Sequence, residues 1–89
     1  MAEARAELLD ALRRHSLRTG EFTLASGRTS SWYLDARQVT FRGDCVEAVG
    51  RAVMEAVEGL EFDAVGGLTL GADPVALAVA LVTGRRAFA

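Results

Sequence analysis

The sequence has no lysine, isoleucine or asparagine, and it has only one cysteine and one proline in 89 residues. All 10 basic side chains are therefore arginines, so no lysine is available as a general base or as an ammonium clamp for a phosphate. A single cysteine, Cys45, excludes an intrachain disulfide. We expect Cys45 to be a small buried hydrophobic residue, with a lowered thiol pKa near a helix start as the alternative.

Long apolar runs are also absent. The longest, residues 74–82, is far shorter than the roughly 20 residues of a membrane-spanning helix, and the charged N-terminal segment lacks the apolar centre of a signal peptide. The net charge of −2 gives no electrostatic reason to bind nucleic acid. These absences predict one small cytoplasmic domain with neither a membrane nor a nucleic-acid partner.

Hydrophobic periodicity predicts a helix and two strands in the first half of the chain. Apolar residues at helical spacing, Leu17 being the last, indicate a helix over residues 3–18 that ends at Gly20. His15, near its end, is explained by the favourable position of a cation at a helix C-terminus, with catalysis as the lesser alternative. The next predicted elements are a strand over residues 21–25, a turn over 26–28, a strand over 31–37 and a loop over 39–43.

The second half predicts alternating helices and strands. Asp44 and Glu47 have the spacing of a capping box, at the start of a helix that runs to Gly59 or beyond. The order α-β-α-β predicts an α/β fold with a parallel sheet and right-handed crossovers. The remaining predicted elements are a strand over residues 62–67, a helix over 73–83, a turn at Gly84 and a strand over 85–89.

The most informative segment is GGLTLGADP, residues 66–74, between a predicted strand and a predicted helix. Its three glycines allow the backbone to turn sharply and to approach a ligand, and Asp73 and Pro74 have the order of a helix cap and a first helical residue. Backbone N–H groups at a helix N-terminus favour an anion. Because the segment has neither the P-loop lysine nor the Gly-x-Gly-x-x-Gly spacing, it predicts either a phosphate site or a tight packing turn.

Two segments together resemble a known family. EFTLASGRTSSWYLD, residues 21–35, is similar to the N-terminal signature of orotate phosphoribosyltransferases, in which Phe-x-Leu-x-Ser-Gly-Arg-x-Ser precedes an aromatic strand. Residues 66–74 resemble the pyrophosphate loop of one branch of that family. The resemblance implies half of a type I phosphoribosyltransferase fold, a parallel sheet flanked by helices. Residues 1–41 would be its N-terminal helix and hood strands, and residues 42–89 the first part of its α/β core.

The resemblance also implies an activity. The family transfers ribose 5-phosphate from phosphoribosyl pyrophosphate (PRPP) to orotate, which gives orotidine 5′-monophosphate and pyrophosphate in pyrimidine nucleotide synthesis. It implies a glycosyltransferase that is a homodimer and binds Mg²⁺ with its donor, and no metal ligand is assigned among these residues.

The family's site residues carry over by position. Tyr33 and Leu34 fall in the orotate pocket, and the pyrophosphate loop comprises Thr69, Leu70, Gly71, Ala72 and Asp73. A contact with PRPP or with the partner subunit is implied for Ser26, Gly27 and Arg28. Structural alternatives stay open: Trp32 or Tyr33 faces the core, Asp73 only caps the helix, and residues 26–28 are a plain hairpin turn.

Two departures from the family bear on activity. Many members have a lysine where this chain has Ala25. The family's catalytic loop, with its lysine and histidine, and its ribose-phosphate loop would follow Ala89, so we expect an N-terminal fragment, incomplete at its C-terminus, that is inactive alone. The alternatives are a non-catalytic nucleotide-binding regulatory domain of the same fold and a small structural domain whose glycine loop is tight packing.

Overall fold

The computed structural model describes residues 2–89, which form four helices and four strands. The elements are α1 (Ala2–His15), β1 (Leu17–Thr23), β2 (Thr29–Leu34), α2 (Arg37–Thr40), α3 (Val46–Ala56), β3 (Ala64–Gly66), α4 (Asp73–Thr83) and β4 (Arg86–Phe88). They include two separate two-stranded sheets, β1 with β2 and β3 with β4. The predicted α/β class and parallel pairing are confirmed, because β3 and β4 run parallel and α4 connects them. The boundary between residues 41 and 42 stays a prediction.

The first helix is shorter than predicted. α1 ends at His15, and Leu17, which we expected on its apolar stripe, begins β1 instead. Gly20 does not end the helix: it lies inside β1 with φ of 147°, a value that L side chains rarely adopt. It lies where the register of β1 shifts, between Thr19 and Phe22. The glycine therefore marks a strand irregularity rather than a helix end.

The hairpin is fixed at its turn. The N–H of Leu24 donates to the carbonyl of Arg28 at 2.8 Å, the N–H of Gly27 donates to the carbonyl of Leu24 at 2.9 Å, and Gly27 has φ of 86°. The turn predicted over residues 26–28 is thus confirmed. The second strand ends at Leu34. Residues 35–37, which we predicted as part of this strand, therefore lie outside it.

Three helices enclose a small core. Part of the predicted loop over residues 39–43 is the short helix α2, which carries the fully buried Val39. Val39 packs with small residues of α1, α3 and α4, which are Ala11, Cys45, Val49 and Ala78. Because these side chains are alanine, valine and cysteine, the helices must approach closely to leave no void.

The closest approach is between α3 and α4. A Cβ added to Gly50 would overlap the carbonyl oxygen of Ala78 and would lie 3.0 Å from Cγ1 of Val82. Gly50 therefore has a packing role that its helical position alone does not reveal. An alanine at this place would push the two helix backbones apart.

The predicted cap of α3 is wrong. Cys45, not Asp44, is the N-cap residue, and no side chain bonds the free N–H groups there. The Asp44 carboxylate instead accepts two hydrogen bonds from Arg42, from Nε and Nη2, each at 3.0 Å. A bidentate, charge-assisted pair has displaced the expected bond to the backbone. Glu47 likewise makes an ion pair, with Nε of Arg51 at 3.4 Å.

By contrast, α4 begins and ends where the sequence predicts, at residues 73 and 83. Pro74 lies in its first turn, and Gly84 ends it with φ of 73° while donating its N–H to the carbonyl of Ala80 at 2.8 Å. Both strands beside α4 are shorter than predicted. The helix and its glycine C-cap are nonetheless the best-predicted part of the fold.

The surface is larger than that of a typical monomer of this size, and it includes several large apolar side chains. The chain exposes 6484 Å², against about 5,000 Å² expected for its mass. Leu77 and Leu81 of α4 are 62% and 68% exposed. With Phe41 and Val46 they line an open groove of about 460 Å³. A helix that is apolar on every face normally has cover on every face.

We predict that replacing Gly50 by alanine destabilises the chain by about 1–2 kcal/mol. The added Cβ would meet the backbone of Ala78, so the overpacking cost lies in the upper part of its range of about 1–3 kcal/mol, and helix propensity returns about 1 kcal/mol. The midpoint of urea unfolding at fixed protein concentration measures this. Gly43→Ala is the matched control, since its Cβ would meet open space. Equal midpoints for both variants would contradict the close contact.

We also predict that the chain self-associates through the groove of Leu77 and Leu81, since exposed apolar patches of this kind favour association. Sedimentation velocity should show oligomers that Leu77→Gln with Leu81→Gln reduces. Leu60→Gln removes an equally exposed leucine outside the groove and should leave association unchanged. A strictly monomeric chain with a sharp thermal transition would refute the prediction.

Candidate functional site

The glycine loop lies at the carboxyl end of the parallel strands. β3 ends at Gly66, which pairs with Phe88 of β4, and α4 begins seven residues later at Asp73. The Phe88 ring fills the space where a Cβ on Gly66 would lie, so a side chain at position 66 would displace this ring. In open α/β sheets, ligands bind beyond the carboxyl ends of the strands. The loop is therefore at the place where this architecture forms its sites.

Backbone hydrogen bonds determine which amides of the loop are free. The N–H of Ala72 donates to the carbonyl of Leu68 at 3.0 Å, and the N–H of Asp73 donates to that of Leu70 at 3.2 Å. In the described part of the chain, the N–H groups of Thr69, Leu70 and Gly71 have no protein acceptor. Leu70 and Gly71 are the two of these nearest the N-terminus of α4, where the dipole favours negative charge. The assignment of residues 69–73 to PRPP stays a prediction, in which the amides of Ala72 and Asp73 are already engaged within the loop.

The remaining glycines of the loop have different roles. A Cβ on Gly67 would lie 2.6 Å from the Cβ of Ala72, so Gly67 allows the two ends of the loop to meet. A Cβ on Gly71 would meet nothing within 4 Å, and the φ of Gly71 is not positive. The packing of the fold therefore does not require glycine at position 71. The peptide bond between Thr69 and Leu70 is cis.

The prediction that Asp73 caps α4 is wrong. The N-cap residue is Ala72, which makes no side-chain hydrogen bond, and Asp73 is already the first residue of the helix. Its carboxylate turns back over the loop, where Oδ1 accepts the hydroxyl of Thr69 at 3.3 Å. The sequence analysis missed this pair, although the four-residue spacing between a hydroxyl and a carboxylate was a usable signal.

The residues assigned to orotate lie in the other sheet. Tyr33 pairs with Arg18 near the end of β2, and its ring centroid is 5.9 Å from that of Phe22. Trp32 and Tyr33 are both exposed, so the expectation that one of them faces the core is wrong. The hairpin has only two strands, and a side chain on either of its faces stays open. Within residues 2–89, no hydrogen bond or ring contact joins Tyr33 or Leu34 to the glycine loop.

Asp35 fixes the end of β2 against α1. Its N–H donates to the carbonyl of Ser16 at 3.0 Å, directly after the helix. Its carboxylate accepts Nε2 of Gln38 at 3.1 Å and Nε of Arg37 at 3.4 Å. These interactions, chiefly the bond from Gln38, lower the pKa of Asp35. The preceding residues Tyr33 and Leu34 are thus held at the base of the hairpin.

The turn residues Ser26, Gly27 and Arg28 lie at the far end of the hairpin. The N–H of Arg28 donates to Oγ of Ser26 at 3.4 Å. In the described part of the chain, the Arg28 guanidinium has no ion-pair partner. It is therefore a cation available to an anionic ligand or to another subunit, and that role stays a prediction.

Cys45 is buried, as the sequence predicted, and its pKa does not fall. Burial, and then the neighbouring Asp44 carboxylate, raise the pKa of the thiol. The Arg42 guanidinium meanwhile lowers the pKa of Asp44 to about 2. The carboxylate therefore keeps its charge beside the sulfur, 3.5 Å from Sγ, and opposes a thiolate. The alternative of a reactive thiol at a helix start is wrong.

The described residues offer little for a resident metal. Among residues 2–89, no three histidine, cysteine, aspartate or glutamate side chains come together. Asp73 is the only carboxylate of the glycine loop, and magnesium sites commonly combine one or two carboxylates with the phosphates of a substrate. Mg²⁺ bound together with a phosphate ligand stays a prediction, in which Asp73 would be the loop's carboxylate. None of the helices described is long and apolar enough to cross a bilayer.

Comparisons with known proteins show which proteins the chain is similar to. The orotate phosphoribosyltransferase of Corynebacterium glutamicum is 44% identical over 84 residues, which cover 94% of this chain and 46% of that protein. The orotate phosphoribosyltransferase of Mycobacterium tuberculosis in complex with inorganic phosphate superposes with a TM-score of 0.82 at 42% identity, covering 97% of this chain and 52% of that one.

The complex of the Mycobacterium tuberculosis enzyme with 5-phospho-alpha-D-ribosyl 1-diphosphate gives a TM-score of 0.77 at 41% identity and covers 96% of this chain and 51% of that one. No protein-family model matches the sequence. The chain spans about half the length of the curated relatives it matches. Over that half, its fold is that of the orotate phosphoribosyltransferases.

We predict that Cys45 reacts severalfold more slowly with iodoacetamide in the folded chain than in guanidinium chloride, because its raised pKa leaves less thiolate at a given pH. The rate should rise only at a pH above the range in which the unfolded chain's thiol titrates. Asp44→Asn should lower the pKa and speed the reaction modestly. Equal rates in the folded and unfolded chain would contradict the burial of the thiol.

Proposed function

Because this chain is homologous to orotate phosphoribosyltransferases over about half of their length, we propose that it supplies the base-binding hood and the pyrophosphate loop of such an enzyme. The parent protein would transfer ribose 5-phosphate from PRPP to orotate, as a glycosyltransferase of pyrimidine nucleotide synthesis in the cytoplasm. The observation that carries the proposal is the glycine loop, which presents free amides of Leu70 and Gly71 at the carboxyl end of β3. Its similarity to a protein solved with PRPP supports the same ligand.

The loop residues bind through the backbone. Leu70, Gly71 and Ala72 have no side chain that attracts an anion, so affinity comes from N–H groups and the N-terminus of α4. Hydrogen bonds to a charged group are worth about 1.5–3 kcal/mol each. When bound, Mg²⁺ reduces the repulsion between the pyrophosphate and the carboxylate of Asp73. This arrangement needs no lysine, in keeping with a sequence that has none.

The hood residues provide a wall for the base. The exposed ring of Tyr33, held beside Phe22, suits a planar pyrimidine, and Leu34 adds apolar surface next to it. Ala25 lacks the cation that many relatives have at this position, whereas the unpaired Arg28 lies three residues further on. A homodimer would complete the site, with the mobile loop of one subunit closing over the other. The regulatory and structural alternatives have no such support, since the curated relatives are named as enzymes.

We predict that the 89-residue chain alone forms no detectable orotidine 5′-monophosphate. Joined to the half of the Corynebacterium glutamicum relative that it does not span, it should form the nucleotide from orotate and PRPP. Chromatographic separation of orotate and nucleotide measures this. Turnover by the isolated chain, or none by a folded chimera that binds both ligands, would overturn the proposal.

In the same chimera, Gly71→Val should weaken PRPP binding by at least about tenfold, equivalent to roughly 1.4 kcal/mol. The open space around position 71 accommodates the valine, so the loss would report on the approach of the ligand. Leu70→Ala is the control, because only its N–H is used, and orotate binding should change little in either variant. Calorimetric titration of each ligand tests this, and normal PRPP binding by a folded Gly71→Val chimera would make the loop a packing turn.

A further inference from the structure

Thr69 and Asp73 flank Leu70 and Gly71, two residues of the glycine loop whose N–H groups are free. The hydroxyl of Thr69 donates to Oδ1 of Asp73 across 3.3 Å, which connects the residue before Leu70 to the residue two after Gly71. The bond therefore spans the tip of the loop. It is charge-assisted, since its acceptor is a carboxylate.

Few other contacts restrain this tip. The Leu68 side chain is 88% exposed, the Leu70 side chain is also exposed, and Gly71 has no neighbour within 4 Å of its Cβ position. The backbone bonds of Ala72 and Asp73 fix the carbonyls of Leu68 and Leu70. Across the tip itself, the bond from Thr69 to Asp73 is the side-chain restraint in the described residues.

The negative charge of Asp73 does not favour the binding of an anion, so its place in the loop needs another explanation. A carboxylate beside an anion site repels a phosphate-bearing ligand at close range. Asp73 also forms no capping bond, because Ala72 is the N-cap residue. What its carboxylate does contact is the hydroxyl of Thr69, so a positioning role accounts for its place.

We propose that Thr69 and Asp73 form a clasp that holds the N–H groups of Leu70 and Gly71 toward the ligand, so that both are positioning residues. The identity of the ligand, a pyrophosphate group, rests on the proposed function. The clasp itself is a property of the free chain. The two can therefore be tested separately.

The first test uses the 89-residue chain with inorganic pyrophosphate as the probe. Thr69→Val removes the hydroxyl at nearly constant volume, and Thr69→Ser retains it. Thr69→Val should weaken pyrophosphate binding by about three- to tenfold, the range of a single hydrogen bond, and Thr69→Ser should restore it. Both variants should keep the thermal midpoint of the wild type, because the bond is exposed.

Asp73 provides the second pair of variants. Asp73→Asn keeps an acceptor for Thr69 without the charge, so pyrophosphate binding should stay the same or tighten. Asp73→Ala loses the acceptor, and binding should fall relative to Asp73→Asn. Repeating both titrations with Mg²⁺ tests the carboxylate as a metal ligand: a loss in Asp73→Asn seen only with Mg²⁺ would overturn the positioning role.

The third test needs no ligand. NMR order parameters of the amides of Leu70 and Gly71 should fall in Thr69→Val and recover in Thr69→Ser. Unchanged order parameters, or pyrophosphate binding by Thr69→Val equal to that of the wild type, would overturn the clasp and leave the proposed function standing. No binding of pyrophosphate by the wild type, with order parameters that change as expected, would overturn the ligand assignment and leave the clasp standing.

Discussion

The close contact between α3 and α4 is the constraint on which the rest of the structure depends. At Gly50 the backbone of α3 comes against the carbonyl oxygen of Ala78, and this approach brings Val49 and Ala78 into the core around Val39. A core of alanines and valines gains little from each side chain and relies on close packing. The other side of α4 supports β3 and β4. The position of α4 against α3 therefore determines where its N-terminus, and with it the glycine loop, lies.

The proposed anion site on the glycine loop has no side-chain charge of the attracting sign. Its residues are leucine, threonine, glycine and alanine, and its one charge, on Asp73, has the same sign as a phosphate. Affinity must then come from how the N–H groups of Leu70 and Gly71 point, and the helix dipole adds only about 0.3–1 kcal/mol near a surface. Such a site is sensitive to geometry, because an amide that points away contributes nothing. The restraint across the tip matters more here than it would beside a lysine.

The sequence predicted best where the signal is local. Pro74 and Gly84 define both ends of α4, since each acts through its own backbone preference. The prediction that Gly20 ends the helix was wrong because glycine is favoured both at a helix end and at an irregular position of a strand. Only the pairing of β1 with β2 distinguishes these two roles. The predicted cap at Asp44 was wrong for a related reason. Arg42 offers two charged donors to the Asp44 carboxylate, and the capping pattern does not take this neighbour into account.

The candidate site, like the fold, could be predicted from the sequence only in part. The glycine loop was recognisable from its own residues, whereas the assignment of Tyr33 and Leu34 to the orotate pocket came from the resemblance to a family and stays a prediction. Which amides of the loop are free depended on its internal hydrogen bonds, which no sequence pattern specified. The exposure of both Trp32 and Tyr33 could not be deduced from strand alternation, because alternation assumes a layer on one face and this hairpin has none.

The proposed reaction places a further demand on the joint between the two halves. Orotate and PRPP must meet with reacting atoms about 3–3.5 Å apart, yet Tyr33 and the glycine loop belong to sheets that share no strand. In residues 2–89 they are connected through α1, α2 and α3: Asp35 bonds to Ser16 directly after α1, and Val39 of α2 packs with Ala11 of α1 and Val49 of α3. The ion pair of Glu7 with Arg51 at 2.9 Å is exposed, and such pairs contribute about 0–1 kcal/mol. The apolar contacts around Val39 therefore set the separation of the two proposed binding surfaces. These contacts involve few side chains, so they restrain the separation weakly. A chain that performs the transfer therefore needs additional contacts on the exposed faces of the hairpin and α4.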